Sequence, residues 1–394
     1  MEYSMNMMQT VGFAIILLLL GKFIKSKVNF LQKYFIPAAV VGGGIFSLIL
    51  LVGHNTGTFS VSFNGEIKDF LMVAFFTSVG FSASFKELKN GGIGVVLFLI
   101  SAVILVLIQN GVGVGLAKVL GLDPLLGLAA GSIPLTGGHG TSGAFGPYLE
   151  NLGANGATVV AIASATYGLV TGCLIGGPIG RRLLVKNNLK STEGIKSIKN
   201  SNESTPVTEK SIFNAVALIG IASGIGVTLN PFIKQMGITL PVYISTMIIA
   251  VIIRNVMDAS KKHVPFAEIN IVGGIALELF LSMALMSMKL WELADLAIPL
   301  IIILLTQTVI MGLFAYFVTF NIMGRDYDAA VIACGHCGFG LGATPNAMAN
   351  METFCSTNGF STKAFLAVPI VGSLFIDVIN ATVITTFASF LVLS

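Results

Sequence analysis

The sequence predicts an all-α polytopic membrane protein of about ten transmembrane helices, arranged as two inverted-topology five-span repeats, each with a re-entrant hairpin. Of the 394 residues, 55% are hydrophobic and only 10% are charged, with a mean hydropathy of +0.90. A soluble domain carries about 25% charged residues. Apolar runs long enough to cross a bilayer recur along the chain, and its 45 glycines suit closely packed membrane helices.

Apolar windows of about 20 residues, separated by polar turns, predict five spans in each half of the chain. The spans of the first half are predicted at 8–24, 34–53, 67–85, 92–118 and 154–180. Those of the second half are predicted at 212–229, 239–257, 267–288, 295–321 and 362–392. This division predicts an N-terminal repeat, a polar linker and a C-terminal repeat, at 1–184, 185–211 and 212–394.

The distribution of basic residues predicts the orientation of the chain. Lys22, Lys25 and Lys27 follow the first apolar run, whereas a signal peptide carries positive charge before it, so this run is predicted to remain as a span. With the N-terminus outside, all but four of the 22 lysines and arginines lie on the cytoplasmic side, including those of the linker. This distribution satisfies the positive-inside rule.

Matching residues recur at an interval of about 204 positions, which indicates an internal duplication. The pairs are Pro37 and Pro241, Phe76 and Phe280, Ser78 and Ser282, Gly168 and Gly372, and, at an interval of 205, Asp123 and Asp328. Because five is an odd number of spans, the second repeat would enter the membrane from the opposite face, as in inverted-repeat transporters. The alternative is that any two apolar helices look alike.

Two segments, near 123–150 and 328–352, are too rich in glycine and polar residues to face lipid. Each contains a small-residue helix, a break rich in Gly, Pro and Thr, and a second small-residue run, as expected of a re-entrant hairpin. Non-helical backbone at membrane depth is tolerated only where it is buried in protein or lines a watery cavity. The breaks are therefore candidates for the solute site, and the alternative is tight helix packing.

Neither segment contains Lys or Arg, so an anion bound there would depend on the N–H groups of a broken helix and on a co-bound cation. His139 or His336 would add positive charge if it were protonated. The residues predicted to bind substrate are Ser132, Thr136, Gly137, Gly138, His139, Gly140, Thr141, Gly338, Gly340, Gly342, Thr344 and Asn346.

A carboxylate inside a predicted span points to a cation site. Asp377 is such a residue, and an intramembrane carboxylate is costly and usually functional. Because hydroxyl and amide oxygens are hard ligands, Na⁺ is predicted to bind near Asp377, Asn380, Thr344 and Asn346. The alternative for Asp377 is a structural pairing with hairpin backbone.

Other polar residues in the spans allow less specific predictions. Glu278 is either a second functional carboxylate or an interhelical hydrogen-bond partner. Gln109, Asn110 and Gln307 are interpreted as polar contacts between helices.

Cys334 and Cys337 have the spacing of a thiol oxidoreductase. A redox centre of that type requires a strand, the motif and a helix in succession, and a zinc site requires two further ligands. The sequence shows neither, so both cysteines are interpreted as packing residues.

Four stretches resemble the bacterial sodium/glutamate symporter family. They are GGHGT at 137–141, MKLWELA at 288–294, DYDAAVIACGHCGFGLGATP at 326–345 and VPIVGSLFIDVINA at 368–381. The likeness covers nearly the whole chain apart from the linker. It implies symport of L-glutamate into the cell with Na⁺, re-entrant loops that enter from opposite sides, and a homodimer in the bacterial inner membrane.

The residues alone indicate a carrier with a midplane that accepts an anion and a cation, and glutamate itself comes only from the resemblance. The alternatives are a cation/proton antiporter that uses Asp377 and Glu278, a sodium-coupled carrier of another small carboxylate, and a passive channel. An enzyme is least expected, since no nucleophile–base pair or metal triad stands out. The net charge of +4 gives no indication of a nucleic-acid partner.

Overall fold

The computed structural model describes residues 2–191, 207–235 and 240–393, so most of the predicted linker lies outside the described residues. Within these ranges, ten helices are long and apolar enough to cross a membrane. The prediction of a helical polytopic membrane protein with about ten spans is therefore confirmed. The opposite orientation of the two halves and the re-entrant course of the hairpins remain predictions.

The first half contains ten helices in the described residues, several of them short. They are α1 (Met7–Lys27), α2 (Asn29–Lys33), α3 (Ala38–Thr56), α4 (Glu66–Gly80), α5 (Phe85–Asn90), α6 (Gly92–Val119), α7 (Pro124–Ala129), α8 (Ser132–Leu135), α9 (Gly138–Asn151) and α10 (Ala157–Lys186). Helices α7, α8 and α9 form the first hairpin. Two four-residue strands, β1 (Glu2–Met5) and β2 (Ser60–Phe63), pair in parallel, and they are too short to produce a recognisable alternating pattern.

The second half repeats the order of long helices and hairpin. Its helices are α11 (Glu209–Gln235), α12 (Val242–Ala259), α13 (Phe266–Met286), α14 (Ala297–Phe314), α15 (Phe320–Ile322), α16 (Tyr327–Leu341), α17 (Thr344–Asn358), α18 (Thr362–Leu374) and α19 (Ile376–Leu393). A 3₁₀ turn over Leu290–Leu296 precedes α14, and a π-helical turn over Ala315–Thr319 follows it. Helices α16 and α17 form the second hairpin.

The starts of two helices agree with the predicted repeat. Pro37 immediately precedes α3, and its predicted counterpart Pro241 immediately precedes α12, a position whose N–H has no partner within the helix. Asp123 caps α7 by accepting from the N–H of Leu125 at 2.8 Å. The corresponding cap of α16 is Asp326, two residues before the predicted counterpart Asp328.

The predicted span 362–392 is wrong as a single helix. It consists of α18 and α19, which are separated at Phe375, so Asp377 occupies the first turn of a helix instead of mid-span. A carboxylate is favourable in this position because it faces the positive end of the helix dipole. The apolar run continues across the break, which is why hydropathy alone did not reveal it.

The helices separate into two bundles. Helices α1, α3 and α4 pack with α11, α12 and α13, and we call this group the scaffold bundle. The two hairpins pack with α6, α10, α14, α18 and α19, and we call this group the hairpin bundle. Each half of the chain thus contributes its first three spans to one bundle and the remainder to the other.

In the hairpin bundle, the backbones of α10 and α16 are in direct contact at Gly168. A methyl group on Gly168 of α10 would overlap the carbonyl oxygen of Leu341 at the end of α16. The backbones can touch there only because glycine has no Cβ. This crossing holds the second hairpin against the last span of the first half.

Candidate functional site

The first hairpin is broken immediately before α9. Gly138 has a φ of +67°, which lies in the left-handed region that glycine adopts without steric cost. The chain passes through Thr136 and Gly137 and restarts as a helix at Gly138. The first N–H groups of a helix have no intrahelical partner, so the start of α9 presents backbone donors.

The second hairpin is broken between α16 and α17. Gly342 has φ −144° and ψ −93°, and Ala343 is extended with φ −165° and ψ 167°. Pro345, in the first turn of α17, lacks an N–H and has a φ suited to a helix start. The side chain of Asn346 lies next to this break, since a methyl group built on Gly342 would be 3.2 Å from its Nδ2.

The two breaks lie side by side. A methyl group built on Gly138 would be 3.3 Å from the carbonyl oxygen of Gly342. Both breaks line one cavity of about 900 Å³ between the two bundles. The predicted site residues that line it are Thr136, Gly137, Gly138, His139, Gly140, Gly342, Thr344, Asn346 and Asp377.

Oxygen atoms that suit a cation converge on this cavity. No hydrogen-bond or ion-pair partner of the Asp377 carboxylate is found among the residues that the structure describes. The Oδ1 atom of Asn346 is buried and also without a partner, although its Nδ2 donates to the carbonyl oxygen of Leu169 at 2.9 Å. A carboxylate, an amide oxygen and the hydroxyl of Thr344 are the donor types that hold Na⁺ in transporters, so these residues fit the predicted ion.

Polar side chains of α6 form hydrogen bonds with residues close to the first break. Thr136 Oγ1 donates to Gln109 Oε1 at 2.7 Å, and Gln109 Nε2 donates to the carbonyl oxygen of Gly340 at 2.6 Å. Gln307 Nε2 donates to the backbone oxygen of Gln109 at 2.7 Å. Asn110 Oδ1 accepts from the N–H of Ser132 at 2.9 Å. The interpretation of Gln109, Asn110 and Gln307 as interhelical polar contacts is confirmed.

Five predicted site residues do not line the cavity. Ser132 Oγ donates to Asn380 Oδ1 at 2.6 Å, and Asn380 Nδ2 donates back to the Ser132 carbonyl at 3.1 Å. Gly338 and Gly340 lie in the last turn of α16, where the Gly338 carbonyl accepts from the N–H of Ala343 and the Gly340 carbonyl accepts from Gln109 Nε2. Thr141 is buried within α9. The sequence showed a continuous small-residue run but not the residue at which α16 ends.

The contacts of the hairpins cross between the halves of the chain. Ser132 in the first hairpin pairs with Asn380 in the last span of the second half. In the second hairpin, Asn346 and Asn350 donate to the carbonyl oxygens of Leu169 and Gly172 in the last span of the first half, both at 2.9 Å. Each hairpin therefore has hydrogen-bond partners in the opposite half as well as in its own.

Sequence reasoning singled out Glu278 but did not assign it to the site, and it missed the two lysines that the scaffold bundle contributes to the cavity. Lys22 and Lys25 of α1 and Glu278 of α13 line its wall. Lys22 Nζ lies 2.6 Å from Glu278 Oε2, which makes Glu278 an ion-pair partner. A lysine and a glutamate within apolar runs were visible signals, but they are 256 positions apart and only the fold brings them together.

Cys334 and Cys337 of α16 are fully buried. Cys337 Sγ donates to the Ala333 carbonyl at 3.3 Å, and Cys334 Sγ lies 3.6 Å from the Asn350 carbonyl. His336 is enclosed by phenylalanine rings, and its Nδ1 is 2.8 Å from Thr319 Oγ1. These contacts pack α16 against its neighbours, away from the cavity. No group of three or more His, Cys, Asp or Glu that could hold a metal occurs in the described part of the chain.

Comparison with known proteins identifies the family. A family model described as sodium/glutamate symporter matches residues 3–360. The chain belongs to this family. A sodium/glutamate symporter from Escherichia coli K12 is 42% identical over 392 residues and covers 98% of both chains. Another from Haemophilus influenzae is 41% identical over 395 residues, covering 98% of this chain and 97% of its own length.

The resemblance of the four sequence stretches to this family is thereby confirmed. Among solved structures, a sodium proton antiporter from Methanocaldococcus jannaschii matches with a TM-score of 0.45 and 13% identity, covering 99% of each chain. That likeness is too distant to bear on function.

Proposed function

We propose that this chain is a secondary transporter that couples the entry of Na⁺ to the uptake of L-glutamate by alternating access. The observation that supports this function best is the cavity in which the two hairpin breaks meet an unpartnered carboxylate, Asp377. An anion-accepting backbone and a cation-accepting carboxylate in one space suit the joint transport of a negative solute and a positive ion. The relatives are named sodium/glutamate symporters, which supports glutamate as the solute and Na⁺ as the ion.

In the proposed complex, one carboxylate of glutamate binds the N–H groups at the start of α9, around Gly138, His139 and Gly140. The dipole of that helix contributes partial positive charge at its N-terminus. The hydroxyl of Thr136 lies beside these groups, and it is oriented by its bond to Gln109. His139, whose Nε2 is 2.9 Å from Thr166 Oγ1, forms part of the same wall.

Sodium would bind next to the substrate, at Asp377, Thr344 and Asn346. Each supplies oxygen, and neither Asn346 Oδ1 nor the Asp377 carboxylate has a partner in the described structure. Glutamate carries a net negative charge, so a nearby cation stabilises it, more strongly at low dielectric than in water. Each ligand therefore raises the affinity for the other, which is the basis of coupling.

Alternating access would be a movement of the hairpin bundle relative to the scaffold bundle. The cavity lies between them, with the breaks on one wall and Lys22, Lys25 and Glu278 on the other. Movement of one rigid group past another opens a fixed site first to one side and then to the other. We further propose that the protein is a homodimer in the bacterial inner membrane, with its N-terminus outside and its linker cytoplasmic.

Uptake into proteoliposomes tests this function. We expect labelled L-glutamate to accumulate when Na⁺ is higher outside than inside, and to remain near equilibrium with a proton gradient alone. In a competition panel, unlabelled L-glutamate should compete better than D-glutamate, aspartate or citrate.

Three results would contradict the proposal. Uptake without stimulation by Na⁺ would remove the coupling, and stronger competition by citrate would indicate another carboxylate as substrate. Sodium-dependent pH changes in vesicles without any amino acid would instead support a cation/proton antiporter.

A further inference from the structure

The scaffold wall of the cavity carries its own charged group. Lys22 and Lys25, three residues apart on α1, lie on one helix face and line the cavity together with Glu278 of α13. Lys22 and Glu278 form an ion pair of 2.6 Å, and the side chain of each is 49% exposed. Two ammonium groups and one carboxylate leave this wall with net positive charge, opposite the hairpin breaks.

Stability does not explain this pair. An ion pair between half-exposed side chains contributes little to folding, since water screens the attraction and both side chains lose conformational freedom. Charged side chains in apolar helices are nevertheless costly. Both side chains line the cavity that contains the candidate substrate site, so a ligand in the cavity can reach them.

We propose that Lys22 determines specificity by receiving the second carboxylate of the substrate on the cytoplasmic side of the cavity, and that Glu278 competes with the substrate for Lys22. This inference rests on the proposed symport of an amino dicarboxylic acid. The backbone donors of the breaks hold one carboxylate, and the ammonium of Lys22 recognises the other. A solute with an uncharged amide in that position lacks the second ionic contact.

The location of Lys22 restricts this contact to one state of the transporter. It lies near the C-terminal end of α1, which the positive-inside rule places toward the cytoplasm. Because Lys22 belongs to the scaffold bundle, it does not travel with the hairpin breaks. The substrate therefore meets Lys22 only when the breaks face the cytoplasm, and the external affinity does not depend on it.

Glu278 provides the counter-ion when the substrate is absent. It pairs with Lys22, so neither charge is left alone. When the substrate carboxylate displaces it, Lys25 lies on the same wall as an alternative cation. The exchange weakens cytoplasmic binding of the substrate and favours its release into the cell.

The test uses the full-length protein in proteoliposomes of known orientation, with labelled L-glutamate and with L-glutamine as competitor. We expect K22Q to raise the KM at the cytoplasmic face by about threefold to tenfold and to leave the KM at the external face unchanged. K22Q should also reduce the preference for glutamate over glutamine at the cytoplasmic face. K22R should restore both properties, since it keeps the charge.

Two further variants complete the set. E278Q removes the competitor and should lower the cytoplasmic KM. K27Q serves as the matched control, because Lys27 is a basic residue of the same helix end that does not line the cavity, and it should behave as the parent protein. Added choline chloride at constant Na⁺ should narrow the difference between parent and K22Q, since salt screens exposed charges.

The inference is overturned if K22Q matches K27Q at both faces, if it raises the KM for glutamate and glutamine equally, or if E278Q raises the cytoplasmic KM. Should K22Q fail to reach the membrane, E278Q and K22R decide the question. Failure of the symport proposal is a separate result, namely a parent protein whose glutamate uptake does not respond to Na⁺.

Discussion

Asp377 is the residue on which the proposed coupling depends most. It lies in the first turn of α19, lines the cavity and has no hydrogen-bond partner among the described residues. A carboxylate inside an apolar membrane segment is costly, and its place on the cavity wall suits a role in binding a cation. Sequence reasoning found this residue because a carboxylate in an apolar run is conspicuous.

Asp377→Asn should weaken sodium binding while keeping the shape of the side chain. We expect the Na⁺ concentration for half-maximal glutamate uptake to rise by about tenfold or more, which corresponds to about 1.4 kcal/mol or more. Asp69→Asn is the control, since Asp69 is exposed and lies outside this cavity. An unchanged sodium dependence in Asp377→Asn would show that the ion binds elsewhere.

Other residues show why a site could be predicted only in part. The glycines and Thr136 before α9 were identified because non-helical composition marks a break. Ser132 was assigned to the site on the same compositional grounds and Asn380 as an amide-oxygen ligand near Asp377, yet they bond to each other across 248 positions. Lys22 was not assigned and the role of Glu278 was left open, since a sequence does not show which side chains face a shared space.

At the level of elements, composition predicted the two hairpins but not every break. The hairpin breaks contain Gly and Pro. Gly permits backbone angles outside the helical range, and Pro lacks the N–H that a helix interior requires. The break between α18 and α19 falls at Phe375, in a run of apolar residues with no such marker at that position. Its presence depends on packing, as Gly372 lies directly against the side chain of Thr344 in the second hairpin.

The crossing of α10 and α16 gives a prediction about stability. Gly168→Ala places a methyl group against the carbonyl oxygen of Leu341, and overpacking of this kind costs about 1–3 kcal/mol. We expect a lower apparent melting temperature of the purified protein in detergent. Gly177→Ala, in the same helix but with nothing within 4 Å of the added methyl, should stay within about 0.5 kcal/mol of the parent. Equal melting temperatures for the two variants would contradict the observed crossing.

For the whole molecule, the division into two bundles could not be predicted from the sequence. Hydropathy gives the number of spans, and the repeat interval gives their correspondence between halves. Which spans pack together depends on contacts between residues some 200 positions apart, such as Ser47 Oγ with the Leu285 carbonyl at 2.5 Å. Those contacts produce the scaffold bundle, and with it the second wall of the cavity.

Cross-linking tests whether the bundles must move relative to each other. A methyl group on Gly140 of α9 would lie 3.2 Å from Leu277 Cδ1 of α13, and these residues belong to different bundles. In a variant without the four native cysteines, we expect mercury bridging of Gly140→Cys and Leu277→Cys to abolish uptake and dithiothreitol to restore it.

The control pair joins two helices of the scaffold bundle. Ser282 Oγ donates to the Ala14 carbonyl at 2.7 Å, and bridging of Ala14→Cys and Ser282→Cys should leave uptake intact. Full uptake by the bridged Gly140 and Leu277 pair would show that transport does not separate these surfaces.

The crossed hydrogen bonds of the hairpins also bear on how the protein is made. Ser132 bonds to Asn380, which is 248 positions away. Asn346 and Asn350 bond to the carbonyl groups of Leu169 and Gly172, which are 177 and 178 positions away. While the ribosome is still synthesising the second half, Ser132 has no Asn380 to bond and α10 has no second hairpin to cover it. We therefore expect the nascent N-terminal half to lie in the bilayer with these polar groups unpaired. The hydrogen bonds of both hairpins can form only after the second hairpin and α19 have been synthesised.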